Sequence, residues 1–311
     1  MIYDNRLIKE INDELSSRRK KAEAASERYA DALSGNESYA KLKKEYATAK
    51  FDYSKARFTA DEKTEKEASQ RIRKAEAEMK KIQKSLNISD EMLSPRYLCK
   101  ACNDTGTLPS GKKCRCFEQL AAEITLDELG IDKREFPSFE ESRKLTENGL
   151  DKIYDKFRSF CDHFPSTSKN VIISGSVGTG KSRLTECIAG ELTKKGFNVV
   201  FLSACQLNTI FLTYHIAPVY DKSFYISLLS GCDLLVIDDL GTEPIYKNVT
   251  LEYLLTVLSE RNSKNMPYIV TTNLTQEQLL DRYGDRILSR LNDKKQGIRI
   301  EINGKDLRRI K

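Results

Sequence analysis

The sequence predicts an α/β protein: a parallel five-stranded sheet with helices on both faces, preceded by an α-helical arm and a small metal-binding module. Three observations carry that expectation. From about residue 169 onward, short apolar runs alternate with stretches of helical periodicity, which calls for a parallel sheet covered on both sides. Residues 1–90 are almost free of helix breakers and keep heptad-like apolar spacing. Between these regions, four cysteines fall within a short turn-rich segment.

These features divide the chain into a helical coiled-coil or hairpin region at 1–90, a cysteine module at 91–130, a linker with a lead-in helix at 131–168, and the sheet domain at 169–311. A length of 311 residues is compatible with that subdivision. The apolar fraction of 39% and charged fraction of 32% average over unlike halves, the first rich in Lys, Glu, Arg and Ala. A net charge of +6 permits contact with nucleic acid without requiring it. No apolar signal core opens the chain, and no run approaches the ~18 apolar residues of a membrane span, so a cytoplasmic protein without membrane contact is expected. Eight cysteines in such a chain point to metal binding or buried thiols, not to a disulfide scaffold.

In the arm, Ile11, Leu15, Ala22, Ala25, Tyr29 and Ala32 keep heptad-like steps. After a turn at Ser34-Gly35-Asn36, Tyr39, Leu42, Tyr46, Ala49, Tyr53 and Ala56 resume the alternation, and Ile72, Ala75, Met79, Ile82 and Leu86 repeat it. The pattern is that of antiparallel helices with a seam rich in Ala and Tyr. Such a seam suits a helix pair that wants a partner, and equally a passive spacer.

Cys99, Cys102, Cys114 and Cys116 form two close pairs joined by tight-turn sequences, an arrangement that closes a tetrahedral zinc site with four thiolate ligands. An iron–sulfur cluster or reduced thiols are the alternatives. All four ligand positions would be filled, so the metal would be structural. Cys161, Cys187, Cys205 and Cys232 sit among apolar neighbours and read as core thiols. His163 and His215 belong to no ligand constellation.

Gly175, Ser176, Val177, Gly178, Thr179, Gly180, Lys181 and Ser182 fit the phosphate-loop pattern G-x-x-x-x-G-K-S/T at every position, between an apolar run and a helix-like stretch. Glycines allow backbone N–H groups to wrap a polyphosphate at a helix N-terminus. Lys181 would reach the terminal phosphates and Ser182 would help to hold Mg2+. Downstream, the apolar run 234–237 ends in Asp238 and Asp239. Asp238 would hold Mg2+ through its water shell, and Asp239 would polarise the attacking water. Strands are expected at 171–174, 198–203, 234–238, 268–272 and 298–302, and helices starting near Lys181, Ala204, Ser223, Asn248 and Thr275.

Taken together, the phosphate loop, the 238–243 segment Asp-Asp-Leu-Gly-Thr-Glu, Thr-Thr-Asn-Leu at 271–274 and Arg-Ile-Leu-Ser-Arg-Leu at 286–291 resemble the DnaC/DnaI/IstB group of AAA+ ATPases. The resemblance covers about 130–311 and extends loosely to the cysteine module. It implies that Asn273 positions the lytic water and that Arg286 or Arg290, four residues apart, completes a neighbouring subunit's site as an arginine finger. It further implies ATP hydrolysis, self-association through the ATP site, loading of a replicative DNA helicase gripped by the N-terminal region, and contact with single-stranded DNA. Assistance to a transposase and a nucleotide-gated adaptor with negligible turnover are the alternatives. With few residues after Leu291, no helical lid domain is expected, and Arg308 is a loose candidate for a further sensor. Asp239 stands where many AAA+ ATPases carry Glu, and the shorter carboxylate implies slow turnover. Tyr214, Tyr220, Lys222, Phe224 and Tyr225 either face DNA by stacking and charge or form a buried aromatic interface.

Overall fold

The computed structural model describes residues 3, 5–131, 134–143, 150–166, 169–292 and 297–302, without the side chains of 219–223. Its contacts divide the chain into a unit at 12–108 and a unit comprising 1–11 and 109–311.

The arm contains three helices: α1 (Asn5–Ser34), α2 (Glu37–Thr59) and α3 (Glu62–Ser85). A 3-10 turn, Asp90–Leu93, follows. The expected turn after Ser34 is present, and Asn36 caps α2 by accepting the Tyr39 N–H at 3.0 Å. A second break, which the apolar periodicity does not announce, falls at Ala60 and Asp61. Ala60 takes a left-handed conformation at φ 54°, and Asp61 caps α3 by accepting from Thr64. Arg71 pairs with Asp52 at 2.8 Å and Arg57 lies 4.0 Å from Glu65, so α2 and α3 run antiparallel. That register sets buried Ala49 level with Ala75 and buried Ala56 level with Ala68.

On α1 the inward face is shifted from the expected one. Ser26 and Leu33 are buried, whereas Ala25, Tyr29 and Ala32 are exposed. Ile11, Leu15, Ala22, Ser26 and Leu33 follow a 4-7-4-7 spacing, and Ser26 tolerates burial because its hydroxyl donates to the Glu23 carbonyl at 2.8 Å. Because a non-glycine residue in the left-handed region is strained, Ala60→Gly should stabilise the protein by about 0.5–1 kcal/mol. Urea unfolding followed by circular dichroism measures it, and an unchanged or lower midpoint would contradict the strain argument.

The second unit contains α4 (Arg115–Glu128), α5 (Phe139–Arg143), α6 (Asp151–His163), β1 (Asn170–Ser174), α7 (Lys181–Lys194), β2 (Val199–Ser203), α8 (Ala204–Ile216), α9 (Val219–Gly231), β3 (Leu234–Asp238), α10 (Thr250–Ser263), β4 (Tyr268–Thr272), α11 (Gln276–Leu291) and β5 (Gly297–Glu301). The strands form one sheet in the order β2-β3-β4-β1-β5, every pair parallel. This is the expected parallel five-stranded α/β core. Helices α8 and α11 each start in a capping box, Ser203 with Gln206 and Thr275 with Gln278. Helix α9 starts about one turn earlier than expected.

The period of two along each strand separates two apolar layers. Ile172, Val200, Leu202, Leu235, Ile237 and Val270 join a cluster with residues of α8, α9, α10 and α11. Val171, Ile173, Phe201, Leu234, Val236 and Ile269 join another with residues of α6 and α7. The 134–143 stretch packs on α7, where a Cβ at Gly190 would meet that of Phe136 at 2.7 Å. Arg261 of α10 is wholly buried and donates to the Leu229 carbonyl at 2.7 Å and to the Cys232 sulfur at 3.1 Å. Cys161, Cys187 and Cys232 are core thiols as expected, but Cys205 is exposed because the first turn of α8 places it on the outer side. No helix among the described residues is long and apolar enough to cross a membrane.

Candidate nucleotide-binding site

Strand β1 feeds directly into the 175–182 loop, and α7 begins at Lys181. Gly178 and Gly180 adopt φ of 80° and 89°, the left-handed region where a side chain is strained. At Gly175 the reason for glycine is contact: a Cβ there would stand 2.1 Å from the Ile302 carbonyl oxygen. Lys181 is 4% exposed, and its Nζ donates to the carbonyls of Gly175 at 2.9 Å and Ser176 at 2.7 Å. The ammonium is thereby held over the loop. Thr179 is buried and donates to the Ser176 carbonyl at 3.0 Å, whereas Val177 is exposed. The fourteen-residue α7 has no acidic residue of its own in its first turn, where one would offset the partial positive charge of the N-terminus.

Because β4 lies between β1 and β3, the loop, the end of β3 and the end of β4 share one edge of the sheet. Asp238 is buried, and Asp239 follows it in a left-handed conformation at φ 55°. One hydroxyl holds both: Thr271 Oγ1 donates to Asp238 Oδ1 at 2.6 Å and accepts from the Asp239 N–H at 2.8 Å. Ser182 also hydrogen-bonds Asp238, bringing the phosphate loop to the carboxylate. Burial raises the Asp238 carboxyl above its ordinary range and Asp239 adds to the rise, against the Thr271 and Ser182 hydrogen bonds. Thr271 was not among the residues singled out from the sequence. Its signal was there, a Thr-Thr pair closing an otherwise apolar strand.

Asn273 is exposed just beyond β4, at the same edge. Arg286 and Arg290 are exposed on the last turns of α11. That helix is broken at Gly284, whose φ 76° and ψ 167° belong to a region open essentially to glycine alone. Arg286 and Arg290, four residues apart, both lie on the helical segment that follows this kink. Glu243, also not singled out before, is buried after the carboxylates. Tyr214 is half-buried with its ring 4.6 Å from that of Tyr253, and Phe224 and Tyr225 are half-buried with rings 5.9 Å apart. The side chains of Tyr220 and Lys222, and Arg308 as a whole, lie outside the described residues.

In the 99–116 segment the sulfurs of Cys99, Cys102, Cys114 and Cys116 lie within 4.8 Å of one another. A tetrahedral zinc with Zn–S bonds of about 2.3 Å needs its sulfurs about 3.8 Å apart, so these residues fit the ion. It is the only such group of ligand side chains among the described residues, and neither His163 nor His215 belongs to it. Asp104 is buried and accepts the N–H groups of Leu98 at 2.9 Å and Cys99 at 2.8 Å, fixing the backbone of the first cysteine knuckle.

A family model described as IstB-like ATP binding protein matches residues 132–309. The chain belongs to the IstB-like ATP-binding proteins. The family's matched span contains the phosphate loop, Asp238, Asp239, Asn273, Arg286 and Arg290, and leaves the cysteine segment outside. Among curated proteins, the replicative helicase loader DnaC of Escherichia coli strain K12 is 28% identical over 156 residues, which is 50% of this chain and 62% of DnaC. DnaC of Shigella flexneri matches to the same extent. This IstB-like chain therefore spans less than two thirds of the length of those relatives. A crystal structure of the DnaC helicase loader is similar at a TM-score of 0.44 and 22% identity, covering 50% of this chain and 92% of that one. A crystal structure of DnaI is similar at a TM-score of 0.42 and 23% identity, covering 52% and 86%.

Proposed function

We propose that this IstB-like ATP-binding protein hydrolyses ATP slowly, in sites shared between subunits, to load a replicative helicase onto single-stranded DNA. The observation that carries the reading is the separation of the two halves of the site. The phosphate loop and both carboxylates meet at one edge of the sheet, while Arg286 and Arg290 point to solvent beyond a kink. Arginines so exposed suit a neighbour's nucleotide better than their own chain's. The curated relatives being helicase loaders supports the partner.

In this reading the loop's backbone N–H groups and Lys181 hold the terminal phosphates. Ser182 and Asp238 are the residues that would hold Mg2+, which supplies charge neutralisation at the phosphates. Asp239 polarises the attacking water and Asn273 positions it. Arg286 or Arg290 of the adjacent subunit stabilises charge in the transition state. Asp239, shorter than Glu, keeps turnover low.

Cys99, Cys102, Cys114 and Cys116 are the residues that would hold a structural zinc, which would supply folding free energy to a segment too small for a core of its own. That module and the helices grip the helicase. Phe51 and Phe58, seven residues apart on α2 and exposed, are apolar anchors that support such a role for the arm. Asp104→Ala should lower zinc affinity about tenfold, by releasing the two N–H groups that orient Cys99. Competition with a chromophoric chelator measures it, and an unchanged affinity would remove Asp104 from the site.

The loading test mixes the full chain with the replicative helicase of its own organism and circular single-stranded DNA. ATP should raise the helicase recovered on DNA several-fold over helicase alone, and Asp239→Asn should trap the three together. Helicase recovery independent of the protein, with capture of a transposase instead, would establish the transposition reading. ATP turnover at background with helicase and DNA present would leave an adaptor.

A further inference from the structure

The carboxylate loop is bolted to α11 by one buried side chain. Glu243 accepts the Gly241 N–H on Oε2 at 2.9 Å and the Tyr283 hydroxyl on Oε1. Its backbone carbonyl accepts from the Arg282 guanidinium, which also lies 4.0 Å from Oε1. Glu243 and Tyr283 are each 3% exposed. A buried carboxylate is costly unless its lone pairs are satisfied, so this arrangement is held strongly to one geometry. Burial, reinforced by the neighbouring carboxylate, pushes the Tyr283 hydroxyl far above its ordinary range, which keeps it a donor.

The position of the bolt is informative. Tyr283 is the last residue before Gly284, where the helix breaks, and the arginine-bearing segment starts directly after. The residues on the other side of the contact are equally fixed. Leu240 N–H donates to the Thr271 carbonyl at 2.8 Å, Thr272 Oγ1 donates to the Leu240 carbonyl at 2.6 Å, and Gly241 packs on Leu274. Loop 239–243 is therefore a rigid platform tied to β4, and Glu243 joins the first half of α11 to it.

We propose that Glu243, through Tyr283 and Arg282, is the positioning residue that sets where a subunit presents Arg286 and Arg290 to its neighbour's ATP. It acts in the subunit that donates the arginines, not in the one that holds the nucleotide. The inference rests on the shared-site reading above. It adds a buried residue outside the phosphate loop, the carboxylate pair and the arginines themselves.

The test uses two populations of the full chain. The acceptor carries Arg286→Ala and Arg290→Ala, so it holds ATP but donates nothing. The donor carries Lys181→Ala, so it donates arginines without an ATP site of its own. Their mixture should hydrolyse ATP where neither does alone. Tyr283→Phe introduced into the donor should then lower kcat about tenfold with KM for ATP unchanged, since small misplacements of a charge-stabilising group cost that much. The same substitution in the acceptor should change kcat less than twofold. Arg282→Gln, at a partly exposed position, should show the same asymmetry. Equal losses in both populations, a loss confined to the acceptor, or no loss would overturn the role of Glu243. A parent mixture without hydrolysis would instead overturn the shared site itself, before Tyr283 is changed.

Discussion

Gly175→Ala should abolish ATP binding and destabilise the protein by about 3 kcal/mol or more, the cost of overpacking where the obstacle cannot move. The new methyl group would stand 2.1 Å from the Ile302 carbonyl oxygen and 3.1 Å from its carbon. Both are backbone atoms, held by the Ile302 N–H donating to the Ser174 carbonyl at 2.8 Å. Either β5 peels from β1, which it pairs along its length, or the phosphate loop moves off its strand. Both outcomes displace the amide groups that would face phosphate. Gly196→Ala is the control, because its φ of 84° is equally left-handed but nothing lies within 4 Å of the added methyl. It should cost about 1 kcal/mol and leave binding intact. Titration with a fluorescent ATP analogue and urea unfolding read the two effects. Normal binding by Gly175→Ala would show that the close approach of β5 is not part of the site.

Asp238→Asn should separate turnover from stability. The carboxylate that would hold Mg2+ disappears, and hydrolysis should fall about 100-fold or more. Stability should move the other way. Burial raises the folded-state pKa of Asp238 above its unfolded value. A carboxyl raised in this way penalises the folded state as pH climbs from the unfolded value through the folded one, and the full penalty stands above both. Asn carries no such penalty and still accepts the Thr271 hydroxyl. In EDTA without nucleotide, the variant should therefore unfold at higher urea than the parent at neutral pH, with the difference narrowing as pH falls. A variant less stable than the parent at neutral pH would mean that the charge is well compensated in the fold.

Much of the core was legible because its signals are local. Strands β3 and β4 fall at the expected residues, since each is an unbroken apolar run ended by polar residues. The loop at 175–182 announces itself by pattern and flank alone. The four clustered cysteines are likewise neighbours in sequence and come together as their spacing implies. What escaped is what long-range pairing decides. Thr271 reaches Asp239 across 32 residues, and Tyr283 reaches Glu243 across 40. No window of sequence shows that those hydroxyls face those partners. Within the arm, Ser26 displaced Ala25 from the inward face because its hydroxyl is satisfied within its own helix, a compensation that an apolar tally does not count. Ala60 hid a chain reversal, since alanine otherwise favours helix.

The alanines between α2 and α3 have a consequence for how the arm tolerates change. Ala49, Ala56, Ala68 and Ala75 let the two backbones approach closely, and their methyl groups remove little surface from water. The pair is held by fit more than by quantity. Outward residues are accordingly free to vary in size and charge, while any branched or aromatic side chain at one of these four positions would act as a wedge. It would push the two helix axes apart around that position. The hairpin's thickness, and hence the shape of any groove into which it fits, is set by four of the smallest side chains in the molecule.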